Sequence, residues 1–167
     1  MLRSLGYHPL NKNIIYNICI KLHKITMKVT LERKNQAYLF QAKGTSGVPV
    51  MIDNTSKEGA QGASPMELLL MGVGSCSAID IISMLEKQNQ KIDSFNIEVT
   101  ATRKHIKQAK PFECMNVHII LKADIDPKKV LRAAALSFEK YCSVSITFES
   151  SVKIDYCITL NDTILNV

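Results

Sequence analysis

The stretch GASPMELLLMGVGSCSAIDIISMLEKQ, residues 62–88, decides the fold of this chain. It begins with the signals of a helix start, because Ser64 takes the N-cap position, Pro65 the first helical position, and Glu67 the third position after the cap. We predict a helix from this cap to residue 88, about 37 Å long at 1.5 Å per residue. Beyond Glu67, the apolar part of the stretch carries only one charge, on Asp80. A helix that is apolar nearly all round is usually enclosed on every side.

Either a membrane or protein could enclose this helix. Small and polar residues interrupt its apolar surface, so it lacks the run of about 18 apolar residues that favours a membrane span. These interruptions are Gly72, Gly74, Ser75, Ser77, Asp80 and Ser83. A single domain formed by residues 27–167 has difficulty in surrounding such a helix alone. We therefore expect a homodimer whose two copies share the helix, and no membrane partner.

The segments around the helix predict β-sheets. Alternating apolar and polar residues predict strands, and these lie at 28–32, 37–42, 48–52, 92–102, 113–123 and within 145–160. The fourth and fifth strands are joined by a short basic loop, which predicts an antiparallel hairpin. Asp126 and Pro127 repeat the cap-then-proline pattern and predict a second helix that ends near Cys142. Since strands group with strands around two central helices, we predict an α+β fold rather than repeated βαβ units.

The composition indicates one globular domain and gives little support for a nucleic-acid partner. The chain has 167 residues, 46% of them hydrophobic and 22% charged, with a net charge of +6. Four of its 21 basic residues, and none of its acidic ones, lie in residues 1–26; without them, 17 basic residues face 15 acidic ones. Most of the basic excess therefore belongs to this leader. We interpret the leader as a disordered tail or as the result of a start codon upstream of Met27, and we expect residues 27–167 to form a single domain.

Five cysteines and four histidines show no metal-binding or disulfide pattern in the sequence. The cysteine count is odd, no CxxC occurs, and the histidines are scattered. A secreted disulfide framework and a zinc ribbon are therefore disfavoured, and we expect a cytoplasmic protein without metal or cofactor. Cys19 lies in the leader, and Cys114 and Cys157 are predicted to be core or edge residues of strands. His105 and His118 are isolated.

Two cysteines have neighbours that suggest chemistry. Cys76 lies in the middle of the first predicted helix among small residues, which leave its thiol approachable by a substrate or by another helix. A buried structural cysteine is the simpler interpretation, because Asp80 lies one turn further on and opposes a thiolate. Cys142 is predicted to end the second helix, a position that suits a thiol resolving an intermediate. Only the fold can bring two cysteines 66 residues apart in sequence close together.

Three segments together resemble the OsmC/Ohr family of osmotically inducible and organic hydroperoxide resistance proteins. They are GASPMELLL at 62–70, GSCSAID at 74–80 and LSFEKYCSV at 136–144, and the resemblance extends over about residues 27–158. It implies an OsmC-like fold of antiparallel sheets packed around two central helices, in an intertwined homodimer. The residues of these segments are more similar to a less characterised OsmC-like branch than to the organic hydroperoxide resistance branch.

The resemblance also implies a thiol peroxidase active in oxidative-stress defence. Cys76 matches the cysteine that attacks an organic hydroperoxide and becomes a sulfenic acid, and Cys142 matches the cysteine that condenses with it to a disulfide. A dithiol would then reduce that disulfide by exchange. Glu67 matches a glutamate that orients an activating arginine. The N-terminal hairpin offers only Arg33 for that role, at a predicted turn, and we do not assign it.

Three other functions compete with the peroxidase. The same cleft could hold a small apolar or thiol-reactive ligand without catalysis, or a bond between Cys76 and Cys142 could make the protein a redox sensor. Nucleic-acid binding rests only on the charge of the leader and ranks last. An apolar wall favours an alkyl hydroperoxide over an inorganic peroxide as the substrate. The residues that would form this wall are Leu68, Leu69, Val73 and Ile79.

Overall fold

The computed structural model describes residues 27–166, so the leader predicted at 1–26 lies outside the described residues. The chain divides after Ala63 into two compact units, Met1–Ala63 and Ser64–Val167. The candidate functional residues Cys76, Cys142 and Glu67 all lie in the second unit. The expectation that residues 27–167 form one domain stays a prediction.

The described part of the first unit is a three-stranded antiparallel sheet. Its strands are β1 (Thr30–Arg33), β2 (Phe40–Lys43) and β3 (Pro49–Ile52), in the order β1-β2-β3. All three match strands predicted from the alternating pattern. After β3 the chain folds back, and the amide of Ala63 donates to the carbonyl of Met51. Gly62 permits this approach, because a Cβ there would lie 2.5 Å from the Met51 carbonyl carbon.

The second unit contains a mixed four-stranded sheet. Its strands lie in the order β4-β5-β6-β7, and their bounds are β4 (Ser94–Arg103), β5 (Phe112–Lys122), β6 (Lys153–Leu160) and β7 (Thr163–Leu165). The predicted antiparallel hairpin is confirmed as β4 and β5. β5 and β6, however, pair in parallel, because helical segments between them carry the chain back to the end of the sheet where β5 began. The α+β class is confirmed, with one parallel crossover that we did not predict.

The helices of the second unit begin and end close to the residues that the sequence indicates. The first is α1 (Pro65–Lys87) and the second is α2 (Pro127–Leu136). A single π-helical turn (Ser137–Tyr141) follows α2, and a short helix, α3 (Ser143–Phe148), follows that turn. Cys142 ends this second helical segment, as we predicted, and it also caps the start of α3. Of the segment 145–160 predicted to hold a strand, residues 153–160 form β6, whereas the β-branched alternation of SVSITF belongs to α3.

α1 packs closely against β4 and the core of the second unit. Val73, Ile81 and Leu85 on α1 are fully buried against side chains of the sheet and of α2. Gly74 lets the helix approach β4, since a Cβ there would lie 2.9 Å from Cγ2 of Val99. The core thus fixes the rotation of α1, and with it the direction in which its functional residues point.

One face of α1 is not covered by the described chain. Leu69, Met71 and Ile79 are exposed to 40%, 55% and 67%. Residues 64–166 by themselves therefore leave part of α1 uncovered, as we expected of a helix that a single domain has difficulty in surrounding. By length and composition alone α1 could cross a membrane, although the core helix of a soluble protein meets the same criteria.

Candidate functional site

The fold brings Cys76 and Cys142 together, with Asp80 beside them. One ligand-type atom from each residue, the two sulfurs and a carboxylate oxygen, lies within 4.8 Å of the other two. α1 supplies Cys76 and Asp80 one helical turn apart, which places them on the same face. The junction between the π-helical turn and α3 supplies Cys142. The two cysteines of the resemblance thus share one site, as the peroxidase hypothesis requires.

Cys142 is completely buried and held by its own segment. Its amide donates to the carbonyl of Ser137 at 2.8 Å, which closes the π-helical turn. Its sulfur accepts from the amide of Ser145 at 3.4 Å and from the hydroxyl of Ser145 at 3.0 Å. The sulfur therefore replaces the usual oxygen of an N-cap residue, and the cap fixes its direction.

Cys76 is partly exposed, so it is the more accessible of the two thiols. Burial is the largest influence on its pKa and raises it. The backbone amide of Val144 acts in the opposite direction and lowers the pKa. The thiol of Cys142 and the charge of Asp80 raise the pKa further. Among the described residues no positive charge contributes to this shift, so the site favours a neutral thiol at Cys76.

Asp80 is held in place by a residue that the sequence analysis did not single out. The hydroxyl of the buried Ser137 donates to Oδ2 of Asp80 at 3.3 Å. Ser137 belongs to the LSFEKYCSV segment of the resemblance, which was the available signal for it. Ser145 and the amide of Val144 follow Cys142 directly, but only the helical start at α3 reveals that they face the sulfurs.

Two cavities are lined by residues of α1 that come before and after Cys76 in the helix. The first, of about 310 Å³, is largely apolar and lies between α1 and α3. Its lining residues are Leu68, Leu69, Gly72, Ser143, Val144, Thr147 and Phe148. The second, of about 400 Å³, contains Asp80 together with the basic residues Lys87 and Arg132. The site thus has an apolar side and a charged side.

The predicted apolar wall is only partly formed. Leu68 and Leu69 line the first cavity. Val73 instead points into the core and is fully buried, while Ile79 is exposed on the uncovered face of α1.

Glu67 forms part of the cap at the N-terminus of α1. Its carboxylate accepts from the amide of Ser64 at 2.7 Å, and its own amide donates to the hydroxyl of Ser64 at 3.2 Å. This is the capping box that we predicted, and the hydrogen bonds from Ser64 lower the pKa of Glu67. From Ser64 to Asn166 no arginine forms a salt bridge with this carboxylate. The catalytic role of Glu67 stays a prediction.

Arg33, Cys114 and Cys157 are the remaining candidates. In the first unit, Arg33 ends β1, and its guanidinium donates to the carbonyls of Gln36 and Ala37, within its own turn. In the second unit, Cys114 forms a hydrogen bond with the hydroxyl of Thr102 at 3.0 Å, and Cys157 is exposed on β6.

A family comparison agrees with the geometry of this site. The family described as OsmC-like protein matches residues 56–156, which include both cysteine segments. This chain belongs to the OsmC-like protein family. Protein YhfA of Escherichia coli (strain K12) is 36% identical over 118 residues, covering 70% of this chain and 86% of YhfA.

Solved structures show the same OsmC-like fold. A hypothetical protein from Aquifex aeolicus VF5 is 28% identical, with a TM-score of 0.69 over 82% of this chain and 98% of its own. The OsmC-like protein from Mycoplasma pneumoniae is 18% identical, with a TM-score of 0.71 over 83% and 99%. The organic hydroperoxide resistance protein OhrB of Bacillus subtilis is 22% identical, with a TM-score of 0.56 over 81% and 98%. The last two share the fold alone.

Proposed function

We propose that this OsmC-like protein is a cysteine-based thiol peroxidase that reduces organic hydroperoxides in oxidative-stress defence. The observation that carries the proposal is the proximity of Cys76 and Cys142, whose sulfurs lie within 4.8 Å. Their different exposure divides the roles. Cys76 is accessible to a substrate, whereas the fully buried Cys142 is accessible mainly to Cys76.

The proposed cycle has three balanced steps. The thiolate of Cys76 attacks the hydroperoxide and breaks its O–O bond, and the leaving alkoxide takes a proton to become an alcohol. Cys76 is then a sulfenic acid. The thiol of Cys142 attacks this sulfur, so that a disulfide forms and water leaves. An external dithiol reduces the disulfide by exchange and is itself oxidised to a disulfide.

The apolar cavity lined by Gly72, one helical turn before Cys76, supports an alkyl hydroperoxide as the substrate. Leu68, Leu69 and Phe148 offer apolar contacts to an alkyl group. Val144, whose amide lowers the pKa of Cys76, also lines this cavity. A bound alkyl chain would therefore direct its peroxide group toward the thiol, an arrangement that hydrogen peroxide cannot use. The name of the B. subtilis structural neighbour, an organic hydroperoxide resistance protein, agrees with this substrate class.

The working form that we propose is a cytoplasmic homodimer. Beside the uncovered face of α1, an apolar groove of about 650 Å³ runs between α1 and β4. Leu70, Met71, Ala78, Phe95 and Ile97 are among its lining residues. A second copy covering this groove would remove apolar surface from water. Sedimentation of the purified chain should give twice the monomer mass of 18.7 kDa, and Met71→Glu should shift the protein toward monomers.

The peroxidase proposal is tested by the loss of an alkyl hydroperoxide in the presence of a dithiol. We expect Cys76→Ser to lose activity entirely. In the absence of the dithiol, Cys142→Ser should consume one equivalent and then stop as a sulfenic acid, which a dimedone probe traps. The matched control is Cys157→Ser, at an exposed position of β6, which should keep the wild-type rate. Equal slow rates in all four proteins would overturn the proposal.

A non-catalytic binding module is the second candidate, and the electrostatics of Cys76 favour it. Burial and Asp80 raise the pKa of this thiol, whereas a peroxidase needs the thiolate. Such a module would bind a small apolar ligand in the cavity between α1 and α3. It would show saturable binding of a fluorescent fatty acid that is unchanged in Cys76→Ser, together with the equal slow peroxide rates described above.

A further inference from the structure

We propose that Cys76, Asp80 and Cys142 form a binding site for a divalent thiophilic metal ion, best suited to Zn²⁺. Sequence spacing gave no indication of such a site, because the third ligand arrives from a different helical segment. The three potential ligand atoms lie within 4.8 Å of one another. This inference goes beyond the proposed peroxidase and does not depend on it.

The distances fit a zinc ion after a small contraction. If the three atoms were all 4.8 Å apart, their common centre would lie about 2.8 Å from each, against Zn–S and Zn–O bonds of about 2.3 and 2.1 Å. A side-chain movement of about half an ångström therefore suffices. Two sulfurs and one oxygen favour Zn²⁺ over Mg²⁺ or Ca²⁺, which prefer oxygen ligands. Three protein ligands leave the fourth position of a tetrahedral ion to water.

Two of the three ligands already receive a hydrogen bond from a neighbouring hydroxyl group. Ser137 donates to Asp80, and Ser145 donates to Cys142. Donors of this kind orient metal ligands and stabilise their charged forms. Both donors are buried serines, which distinguishes this cluster from a chance contact of polar side chains.

The charged cavity beside Asp80 gives an ion a route to the site. Asp80 lines this cavity of about 400 Å³ together with Lys87 and Arg132. Two thiolates, one carboxylate and Zn²⁺ carry a net charge of −1, which these basic side chains partly balance. Binding would release two thiol protons to solvent, since only thiolates ligate the ion.

Metal binding and the proposed redox cycle would exclude each other. Both cysteine sulfurs would be ligated, so neither could attack a peroxide or join a disulfide. Conversely, the disulfide would leave only Asp80 to hold the ion. A zinc-loaded protein should therefore resist hydroperoxide, and the oxidised protein should release zinc.

The test titrates the full reduced chain with Zn²⁺ against a chromogenic chelator. We expect one ion per chain, affinity losses of more than 100-fold in Cys76→Ser and Cys142→Ser, and a loss of about 10–100-fold in Ser137→Ala, which removes only the donor to Asp80. The matched controls, Cys19→Ser, Cys114→Ser and Cys157→Ser, should bind as the wild type does. Undiminished binding in Cys76→Ser, or a loss in any control, would overturn the site.

A second measurement needs no variant. X-ray absorption of the zinc-loaded wild type should show two sulfur neighbours and two lighter ones. A shell without sulfur, or with four sulfurs, contradicts the assignment. Since neither measurement uses peroxide, the metal site and the peroxidase can fail separately.

Discussion

The second unit contains two pairs of cysteines that differ in how the chain places them. Cys114 and Cys157 lie on the neighbouring strands β5 and β6. The register of these strands places Cys114 opposite Lys153 and Cys157 opposite His118, so the two cysteines are offset by four positions along the strands. Cys76 and Cys142 are 66 residues apart in sequence, yet their sulfurs lie within 4.8 Å. Regular strand pairing holds Cys114 and Cys157, the outer pair, apart. Cys76 and Cys142, the inner pair, meet at the junction between the π-helical turn and α3.

Oxidation of the protein tests whether only the inner pair can form a disulfide. One equivalent of cumene hydroperoxide should produce a single disulfide between Cys76 and Cys142, located by mass spectrometry of peptides. The reason is proximity, since Cys114 and Cys157 have only their neighbours in the sheet within reach. We expect the disulfide to vanish in Cys142→Ser and to persist in Cys114→Ser. A disulfide that includes Cys114 or Cys157 in the wild type would remove the distinction.

Much of this arrangement could be predicted from local sequence signals. The start of α1 is predictable from Ser64, Pro65 and Glu67 alone, since the capping box forms within four residues. The hairpin of β4 and β5 follows from two alternating segments joined by a short loop. The resemblance then paired Cys76 with Cys142. These features depend on neighbours in sequence or on motifs visible in the text.

The rest depends on contacts between distant segments. The segment 143–148 is rich in β-branched residues and resembles a strand, but the sulfur of Cys142 caps a helix there. The parallel pairing of β5 with β6 follows from the path of that segment. Asp80 looked only like a charge opposing a thiolate, and nothing in the sequence placed the hydroxyl of Ser137 beside it. No local pattern encodes such contacts.

The second prediction concerns the acidity of the inner pair. Burial raises the pKa of Cys76, and Asp80 adds to this effect. With a chelator present, the alkylation rate of Cys76 by iodoacetamide should therefore rise through a midpoint above the value of about 8.5 of an ordinary cysteine. Asp80→Asn removes one negative charge and should shift that midpoint downward, by less than burial raised it.

The measurement is a pH series analysed by mass spectrometry of the Cys76 peptide, with Asp93→Asn as a control carboxylate at the start of β4. The control should leave the midpoint unchanged. A midpoint below 7 in the wild type would show that a cation activates this thiol after all, and would strengthen the peroxidase at the expense of the binding module.

The third prediction concerns substitutions that disturb the packing of α1 on β4, which sets the direction of Cys76. Gly74→Ala places a Cβ 2.9 Å from Cγ2 of Val99, a stiff β-branched side chain, so we expect a loss of about 1–3 kcal/mol in the free energy of unfolding. Gly72→Ala, half a turn away, meets only Cγ1 of Val144 at an ordinary 3.6 Å. It should be neutral or stabilise by up to about 1 kcal/mol through helix propensity.

Urea unfolding followed by circular dichroism compares the two glycine variants. The Gly74→Ala protein should also form the Cys76–Cys142 disulfide more slowly, because its α1 is displaced. If Gly72→Ala were the more destabilised of the two, the close approach of α1 to β4 would not be what fixes the site.

The smallest expected effect concerns the hydroxyl groups that contact one cysteine of each pair. Ser145→Ala removes the 3.0 Å hydrogen bond to buried Cys142 and should lower the free energy of unfolding by about 1 kcal/mol. Thr102→Val removes the equivalent bond to Cys114 at an exposed position and keeps the branched shape, so we expect a change within about 0.5 kcal/mol. Urea unfolding measures both. The reason is that water can replace a lost hydroxyl donor at the exposed sulfur but not at the buried one. Equal losses would mean that burial does not separate the two cysteine environments.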